Sequence, residues 1–203
     1  PLASNDHSAY TDRMQNFLGS EAPTLVGLES FEDEIDAVNR AEAIYIGGGN
    51  SFLLIKELHD RGLIEPIRNA VLGGASYLGV SAGANVSCRT MMTTNDMPIV
   101  SPPSFNSLGL VPFQINPHFY PGKLIFMDGD DYANHYGESR GQRIAEFHQH
   151  HEDPVIGMWE GSFVQWDGSR GRLTGRATSF LYGAEPHDLH DGAEFDAKLR
   201  IIN

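Results

Sequence analysis

Up to residue 88 the sequence alternates short apolar segments that end in glycine with segments of helical periodicity. EAIYIGGG precedes the helical pattern NSFLLIKELHDRG, and ASYLGV precedes a run of small helix-forming residues. Strands that alternate with helices predict βαβ units and a parallel sheet that is covered by helices on both faces. We therefore expect an α/β fold with a three-layer arrangement and a mostly parallel sheet.

The remaining segments fit the same domain. Helical patterns occur at residues 8–18, from an N-cap at Ser30, at residues 66–72 and in ESRGQRIAEFHQHH, and a further strand is predicted at residues 23–30. Residues 95–121 are rich in Pro, Ser and Asn, a composition that predicts loops. The pattern of the C-terminal segments predicts strands joined by glycine turns. A chain of 203 residues suits one domain of this size, so we predict a single domain over residues 1–203.

Charge and composition exclude several classes of partner. The formal net charge is −13, which repels phosphate and argues against nucleic acid or an anionic membrane as a partner. No apolar run approaches the roughly 20 residues of a membrane span, and no secretory signal pattern follows Pro1. Because the chain has one cysteine, Cys88, we expect a cytoplasmic protein. The abrupt start at Pro1 leads us to expect further residues upstream.

Residues 79–83, GVSAG, match the nucleophile-elbow pattern and lie between a predicted strand and a predicted helix. A serine on such a sharp turn needs small neighbours, and Ala82 and Gly83 are small. The N–H groups at the start of the helix would then face a developing oxyanion. The alternative is that Ser81 is an ordinary N-cap followed by residues that permit close helix packing.

The glycines of YIGGGN offer a backbone surface suited to an anion. Their spacing does not match a dinucleotide-binding loop. Consecutive parallel strands place their C-terminal loops together, so Gly48 or Gly49 would supply a second oxyanion N–H beside Ser81. A tight turn with capping residues is the alternative.

A serine nucleophile requires a base and an acid that orients it. His118, in QINPHF, is the best candidate base, because Pro117 and Phe119 fix its position after an apolar extended run. The three histidines of HQHH would not share one helix face, which argues for a solvated surface rather than a metal site. The orienting acid is either Asp96, in TTNDMPIV, or Glu160, in MWEG.

Taken in order, GGGNSF, GVSAGANVSC, TTNDMPIV, QINPHF, ESRGQRI and MWEG resemble the peptidase E family of aspartyl dipeptidases, from about residue 1 to about residue 183. The resemblance implies a fold similar to class I glutamine amidotransferases, or flavodoxin-like, with serine in place of the cysteine nucleophile. It also implies hydrolysis of Asp-X dipeptides without a cofactor or metal ion, by a monomer or homodimer.

The resemblance also implies a role for each matching residue. Ser81 would be the nucleophile and His118 its base, with Glu160 as the third member of the triad. Asp96 matches a second acid that is assigned to the charge relay. The N–H groups of Ala82 and of Gly48 or Gly49 would form the oxyanion hole, and Arg140 would bind the aspartyl carboxylate of the substrate.

Two departures from the family pattern bear on the substrate. Val80 stands where relatives often have Trp or Thr, and residues 120–137 form a longer loop than we expect, which suits a lid or an interface element. Three alternatives stay open: a cyanophycinase-like peptidase, an α/β-hydrolase esterase that would use His187 or His190, and a non-catalytic binding domain.

Overall fold

The computed structural model of the chain describes residues 2–3, 6–122 and 124–202, so Pro1 lies outside the described residues. The chain divides into two compact units, Pro1–Val111 and Pro112–Asn203. Each unit has its own core. The prediction of one domain over residues 1–203 stays a prediction.

Helices and a short parallel sheet make up the first unit. Its elements are α1 (His7–Leu18), a 3₁₀ turn (Leu28–Ser30), α2 (Glu34–Asn39), β1 (Ala43–Ile46), α3 (Ser51–Asp60), α4 (Ile64–Leu72), β2 (Ser76–Gly79) and α5 (Ala82–Val86). Strands β1 and β2 pair in parallel, with Ile46 opposite Gly79. The predicted β–α–β order from residue 43 to residue 88 is therefore confirmed.

Two local predictions in the first unit are wrong. Residues 23–30 form no strand but end in the 3₁₀ turn. The N-cap of α2 is Asp33 rather than Ser30, because the Asp33 carboxylate accepts a hydrogen bond of 2.9 Å from Asp36 N. The backbone at Leu25 is bonded to a helix rather than to a strand, since Leu25 N donates a hydrogen bond to the side chain of Gln15 in α1.

The core of the first unit is built mainly by α3, α4 and α5. Its fully buried side chains include Ile55, Leu58, Leu63 and Val86. Strands β1 and β2 border an apolar groove of about 740 Å³, and Leu78 is 55% exposed.

Strands dominate the second unit. Its elements are β3 (Gln114–Asn116), β4 (Ile125–Asp128), β5 (Asp131–Asn134), α6 (Arg140–Phe147), β6 (Val155–Met158), β7 (Phe163–Trp166), β8 (Gly171–Thr174), β9 (Ala177–Phe180), β10 (His187–Leu189) and β11 (Glu194–Phe195). Four strands form a sheet in the order β10–β9–β6–β3, and three form a sheet in the order β11–β8–β7.

The α/β class is confirmed, but the strand pairing is more antiparallel than we predict. Among the described strands, β1–β2 and β3–β6 pair in parallel, and the other pairs are antiparallel. The physical reason is that the strands after residue 155 follow one another without helices. Short connections of this kind favour antiparallel neighbours, whereas a parallel pair requires a long crossover. The predicted C-terminal hairpins are confirmed.

The segment that we expect to be a long loop, residues 120–137, contains a β-hairpin. Strands β4 and β5 pair in antiparallel register around Gly129, whose φ of +65° suits the tight turn. Both strands are largely exposed, and Met127 and Tyr132 are 66% and 72% exposed. Lys123, within this segment, lies outside the described residues.

Within the part of the chain that the structure describes, no helix has the length and apolar character to span a bilayer.

Candidate active site

Ser81 sits on a sharp turn between β2 and α5. Its backbone has φ 54° and ψ −110°, a strained conformation for a residue other than glycine. A Cβ on Gly79 would lie 2.5 Å from the Gly83 carbonyl oxygen, and a Cβ on Gly83 would lie 1.9 Å from the Ile46 oxygen. The turn can therefore form only because these neighbours are glycines, as the GVSAG pattern requires.

The side chain of Ser81 does not act as an ordinary helix cap. Ser81 occupies the N-cap position of α5, but within the described residues its hydroxyl makes no capping hydrogen bond to that helix. Tyr77 instead supports the turn, because its hydroxyl donates a hydrogen bond of 2.7 Å to the Gly83 carbonyl oxygen. Burial raises the pKa of Tyr77, so this hydroxyl stays protonated and remains a donor.

The glycine loop after β1 lies directly against Ser81. A Cβ placed on Gly48 would be 3.2 Å from the Ser81 Cβ and 3.6 Å from its Oγ. Gly49 has a φ of +139°, which favours glycine, and Val80 N donates to the Ile46 carbonyl oxygen at 3.0 Å. The structure thus brings the predicted glycine loop and the serine turn together within the first unit.

Asp96 is also in the first unit, where it contacts the start of α3. Its Oδ2 accepts hydrogen bonds from Ser51 N and from Ser51 Oγ, each at 2.7 Å. The sequence indicates Asp96 as one of two candidate acids for the charge relay. Its observed partner is the first residue of a helix that follows the glycine loop.

His118 and Glu160 are paired directly in the second unit. His118 follows β3 and Glu160 follows β6, and these strands are parallel neighbours whose C-terminal ends meet at one edge of the sheet. His118 Nδ1 donates a hydrogen bond to Glu160 Oε1. A carboxylate can only accept, so this contact places the proton on Nδ1 and leaves the lone pair on Nε2 in the neutral ring.

Three further contacts lie beside this pair. His118 has a φ of 55°, and Phe119 N donates to the Met158 carbonyl oxygen at 2.8 Å. Beside Glu160, the Trp159 Nε1 donates to Thr178 Oγ1 at 3.1 Å, while the Arg176 guanidinium lies 4.0 Å from the Trp159 ring centroid. Short sequence patterns give no signal for Thr178 and Arg176, because these two residues are distant in the sequence from QINPHF and MWEG.

Arg140 is the first residue of α6, within the segment for which the sequence predicts a helix. A capping box fixes this helix start, since Ser139 Oγ accepts from Gln142 N and Gln142 Oε1 accepts from Ser139 N. Further along the helix, Ile144 is buried in the small core that also contains Phe119, the neighbour of His118. The candidate substrate-binding arginine and the candidate base therefore flank one core.

The remaining histidines do not form a comparable site. His148 Nε2 donates to the Asp153 carbonyl oxygen at 3.1 Å, and the His151 ring stacks on Phe147 with centroids 4.5 Å apart. His187 and His190 are exposed and make no ion pair with any residue that the structure describes. In the described ranges there is also no cluster of three or more His, Cys, Asp or Glu side chains suited to a metal ion.

Comparison with known proteins places the chain among peptidases. The family model described as peptidase family S51 matches residues 1–174. Peptidase E of Streptomyces coelicolor is 40% identical over 203 residues, which are 99% of this chain and 81% of that protein. A Drosophila melanogaster protein named "Probable alpha-aspartyl dipeptidase" is 40% identical over 186 residues, which are 91% of this chain and 75% of that protein.

A solved structure shows the same fold at lower identity. The crystal structure of a peptidase from an acI-B1 Actinobacterium matches with a TM-score of 0.52 and 18% identity over 80% of this chain. The chain spans 62% of that protein's length. On the strength of the family match and the two sequence relatives, the chain belongs to peptidase family S51.

Proposed function

We propose that the protein is a serine-type dipeptidase that hydrolyses Asp-X dipeptides through an acyl-enzyme. The observation that carries this proposal is the strained backbone of Ser81, whose side chain lies beside Gly48 and makes no capping hydrogen bond to α5. A mere cap would not require a positive φ at a serine. The names of the two sequence relatives, peptidase E and alpha-aspartyl dipeptidase, supply the substrate class.

In the proposed reaction, Ser81 Oγ attacks the carbonyl carbon of the aspartyl residue. His118 Nε2 takes the hydroxyl proton and then transfers it to the leaving amine as the peptide bond breaks. Water, deprotonated by the same nitrogen, then attacks the acyl ester and releases aspartate. Glu160 accepts the Nδ1–H bond throughout, so it orients the imidazole and stabilises the transient imidazolium.

Backbone N–H groups would stabilise the tetrahedral oxyanion. The candidates are the N–H of Ala82, next to the serine, and that of Gly48 or Gly49. The close approach of Gly48 to Ser81 supports this assignment. Preorganised donors of this kind contribute about 10²- to 10³-fold each to kcat.

Arg140 is the proposed partner of the substrate's side-chain carboxylate. A guanidinium binds a carboxylate through two parallel, charge-assisted hydrogen bonds, which neutral Asn or Ala cannot reproduce. A local cation is needed because the net charge of −13 opposes an acidic ligand. An arginine in the first turn of a helix is also opposed by the helix dipole, which favours a role outside the helix.

The same proposal includes the substrate size, the cellular compartment and the oligomeric state of the enzyme. The substrate is a small peptide, and the protein acts in the cytoplasm as a monomer or homodimer without cofactor, nucleic acid or membrane partner. Its one cysteine, Cys88, is buried, which suits a reducing compartment.

The test is a panel of dipeptides with Asp, Glu, Asn, isoAsp or Ala at the N-terminal position, assayed together with a simple ester. We expect cleavage of Asp-Leu, and a loss of about 10⁶-fold in kcat for Ser81→Ala. Ser76→Ala, which changes an exposed serine at the other end of β2, is the matched control and should keep full activity. Arg140→Ala should reduce the preference for Asp over Asn.

Other outcomes would favour the alternatives. Undiminished Asp-Leu cleavage by Ser81→Ala would rule out the mechanism. Ester hydrolysis that depends on His187 or His190, and not on His118, would identify an α/β-hydrolase esterase. Preference for a β-linked aspartyl peptide would indicate a cyanophycinase-like enzyme, and absence of any labelling of Ser81 by a fluorophosphonate would indicate a binding domain.

A further inference from the structure

A short segment, residues 94–97, is bonded to the first turn of α3 through Asp96 and Thr94. Asp96 Oδ2 accepts from both the N–H and the hydroxyl of Ser51 at 2.7 Å. Thr94 Oγ1 donates to Ser51 Oγ at 3.0 Å and accepts from Asp96 N at 3.1 Å. Ser51 is itself only 1% exposed, so these bonds are shielded from water.

Asn50 adds a second link between the same two segments. Its Oδ1 accepts from Phe52 N and Leu53 N at 3.0 and 3.1 Å, which caps α3, and its Nδ2 donates to the Met97 carbonyl oxygen at 2.9 Å. Asn50 and Ser51 are consecutive residues. The backbone at the start of α3 is therefore fixed by side chains on both of them.

We call the bonds that join Asn50 and Ser51 to residues 94–97 the clamp. The residues just before it are the three glycines of the loop, of which Gly48 lies beside Ser81. Gly47, Gly48 and Gly49 have no side chains with which to hold their own conformation, and glycine loses the most conformational freedom when it is ordered. At the other end of the loop, the Ile46 carbonyl oxygen accepts from Val80 N. The loop is thus fixed between a sheet contact at Ile46 and the clamp at Asn50 and Ser51.

We infer that Asp96 is a positioning residue for the oxyanion hole, and not a member of the charge relay. Its carboxylate holds the start of α3, and through it the N–H groups of Gly48 and Gly49, in the geometry that an oxyanion requires. A negative charge at this helix N-terminus is also favoured by the helix dipole. The inference rests on the proposed function, since it presupposes that Ser81 is the nucleophile.

The relay role is already filled by another acid. The proton on His118 Nδ1 is donated to Glu160, so the imidazole has its orienting carboxylate. Asp96 Oδ2 in turn is occupied by two donors from Ser51. A third possible role, binding of the substrate's α-ammonium group, predicts a different kinetic effect and is separated by the experiment below.

The experiment compares Asp96→Ala, Asp96→Asn and Asp33→Ala by steady-state kinetics on Asp-Leu. It also measures the affinity of each variant for an aminoboronic acid with an aspartyl side chain, whose boron forms a tetrahedral adduct with a serine. Asp33 is the matched control, because it too accepts a helix N-terminal N–H, at the start of α2. Free aspartate serves as the ground-state ligand.

For Asp96→Ala we expect kcat to fall about 10²-fold, the effect of losing one oxyanion donor, with KM changed less than about threefold. The boronate affinity should fall in parallel, while the affinity for aspartate stays close to that of the parent protein. Asp96→Asn retains an oxygen at the same place, so it should recover kcat to within about tenfold. Asp33→Ala should leave kcat unchanged.

Three results would overturn the inference. Losses of about 10⁴-fold in kcat for both Asp96 variants would indicate a relay acid. A rise in KM and in the dissociation constant of aspartate, with kcat unchanged, would indicate a partner of the α-ammonium group. Parent-like kinetics of Asp96→Ala would show that the clamp does not control the loop.

Two further variants keep the test decisive if Asp96→Ala does not fold. Thr94→Val and Ser51→Ala each remove part of the clamp, and each should lower kcat several-fold with little change in KM; parent-like kcat in both would contradict the inference. Failure of the proposed function is distinguished by Ser81→Ala. If that variant keeps both activity and boronate affinity, then the nucleophile itself is wrong.

Discussion

The backbone of Gly48 passes so close to Ser81 that a side chain at position 48 would press against the Cβ of the serine. The distance of 3.2 Å between the serine Cβ and a Cβ on residue 48 is below ordinary van der Waals contact. Either the serine rotamer or the loop would have to shift. In a site where reacting atoms must be placed to a fraction of an ångström, such a shift acts on the rate more than on stability.

Gly48→Ala should therefore lower kcat on Asp-Leu by about tenfold to a hundredfold, because a displacement of about 1 Å costs about 10²-fold. KM and the thermal midpoint should change little. Gly141→Ala in α6 is the control, since a Cβ there meets nothing closer than 3.9 Å. A Gly48→Ala protein with full kcat would show that the loop has more room than its contacts indicate.

At this scale the sequence predicts residues whose role depends on local pattern, and it misses those whose role depends on tertiary contact. The GVSAG and YIGGGN strings are local, and both predicted turns are present. Ser51 and Thr94 gave no signal, because the bond between them joins segments 43 residues apart. Asp96 was singled out as an acid, but only the fold shows that its partner is a helix start.

The start of helix α6 is fixed by hydrogen bonds in its first turn. The reciprocal bonds between Ser139 and Gln142 satisfy two backbone N–H groups that would otherwise lack partners in the helix. The helix is short, and Ile144 is its buried anchor. The orientation of Arg140, one residue after the cap, follows from this start.

Ser139→Ala should lower the free energy of unfolding by about 1 kcal/mol, the usual cost of losing an N-cap side chain. We expect urea unfolding followed by circular dichroism to show the loss. Ser139→Thr, which retains the hydroxyl acceptor, should recover most of it. If alanine and threonine variants are equally stable, the capping box contributes nothing to α6.

The positions of helices were predictable where the helical periodicity of apolar residues agreed with the helix-ending residues beside it, as in α1, α3 and α6. The positions of strands were not predictable where the formation of a strand depends on a pairing partner that is distant in the sequence. Residues 23–30 have strand-like composition but no strand partner, and so they form no strand. Residues 125–134 are predicted to be part of a loop, yet they form two strands that a turn at Gly129, a glycine with positive φ, joins into a hairpin.

For the whole molecule, the main electrostatic fact is an excess of acidic groups. The formal net charge of −13 opposes a substrate that itself carries a negative side chain. At low ionic strength this field extends far from the surface, with a screening length of about 30 Å at 0.01 M salt and about 8 Å at 0.15 M. Salt therefore acts on the approach of the substrate as well as on its binding.

The ratio of kcat/KM for Asp-Leu to that for Asp-Lys should rise as KCl increases from about 10 to about 150 mM. Both dipeptides present the same aspartyl group to Arg140, so weakening of that ion pair cancels in the ratio. Asp-Lys carries one more positive charge, and repulsion by the protein affects it less. A ratio that stays constant or falls with salt would show that the global charge does not govern the approach.

The positive φ of Ser81 also has a consequence for how this chain responds to selection. Glycine adopts such a conformation freely, so Ser81→Gly relieves strain of about 1–3 kcal/mol while it removes the proposed nucleophile. A library sorted for heat resistance alone would accumulate that substitution. The wild-type serine is retained only where catalytic turnover is required. Repeated loss of serine at this position in stability-selected variants would show that the residue is kept for catalysis at a cost in stability.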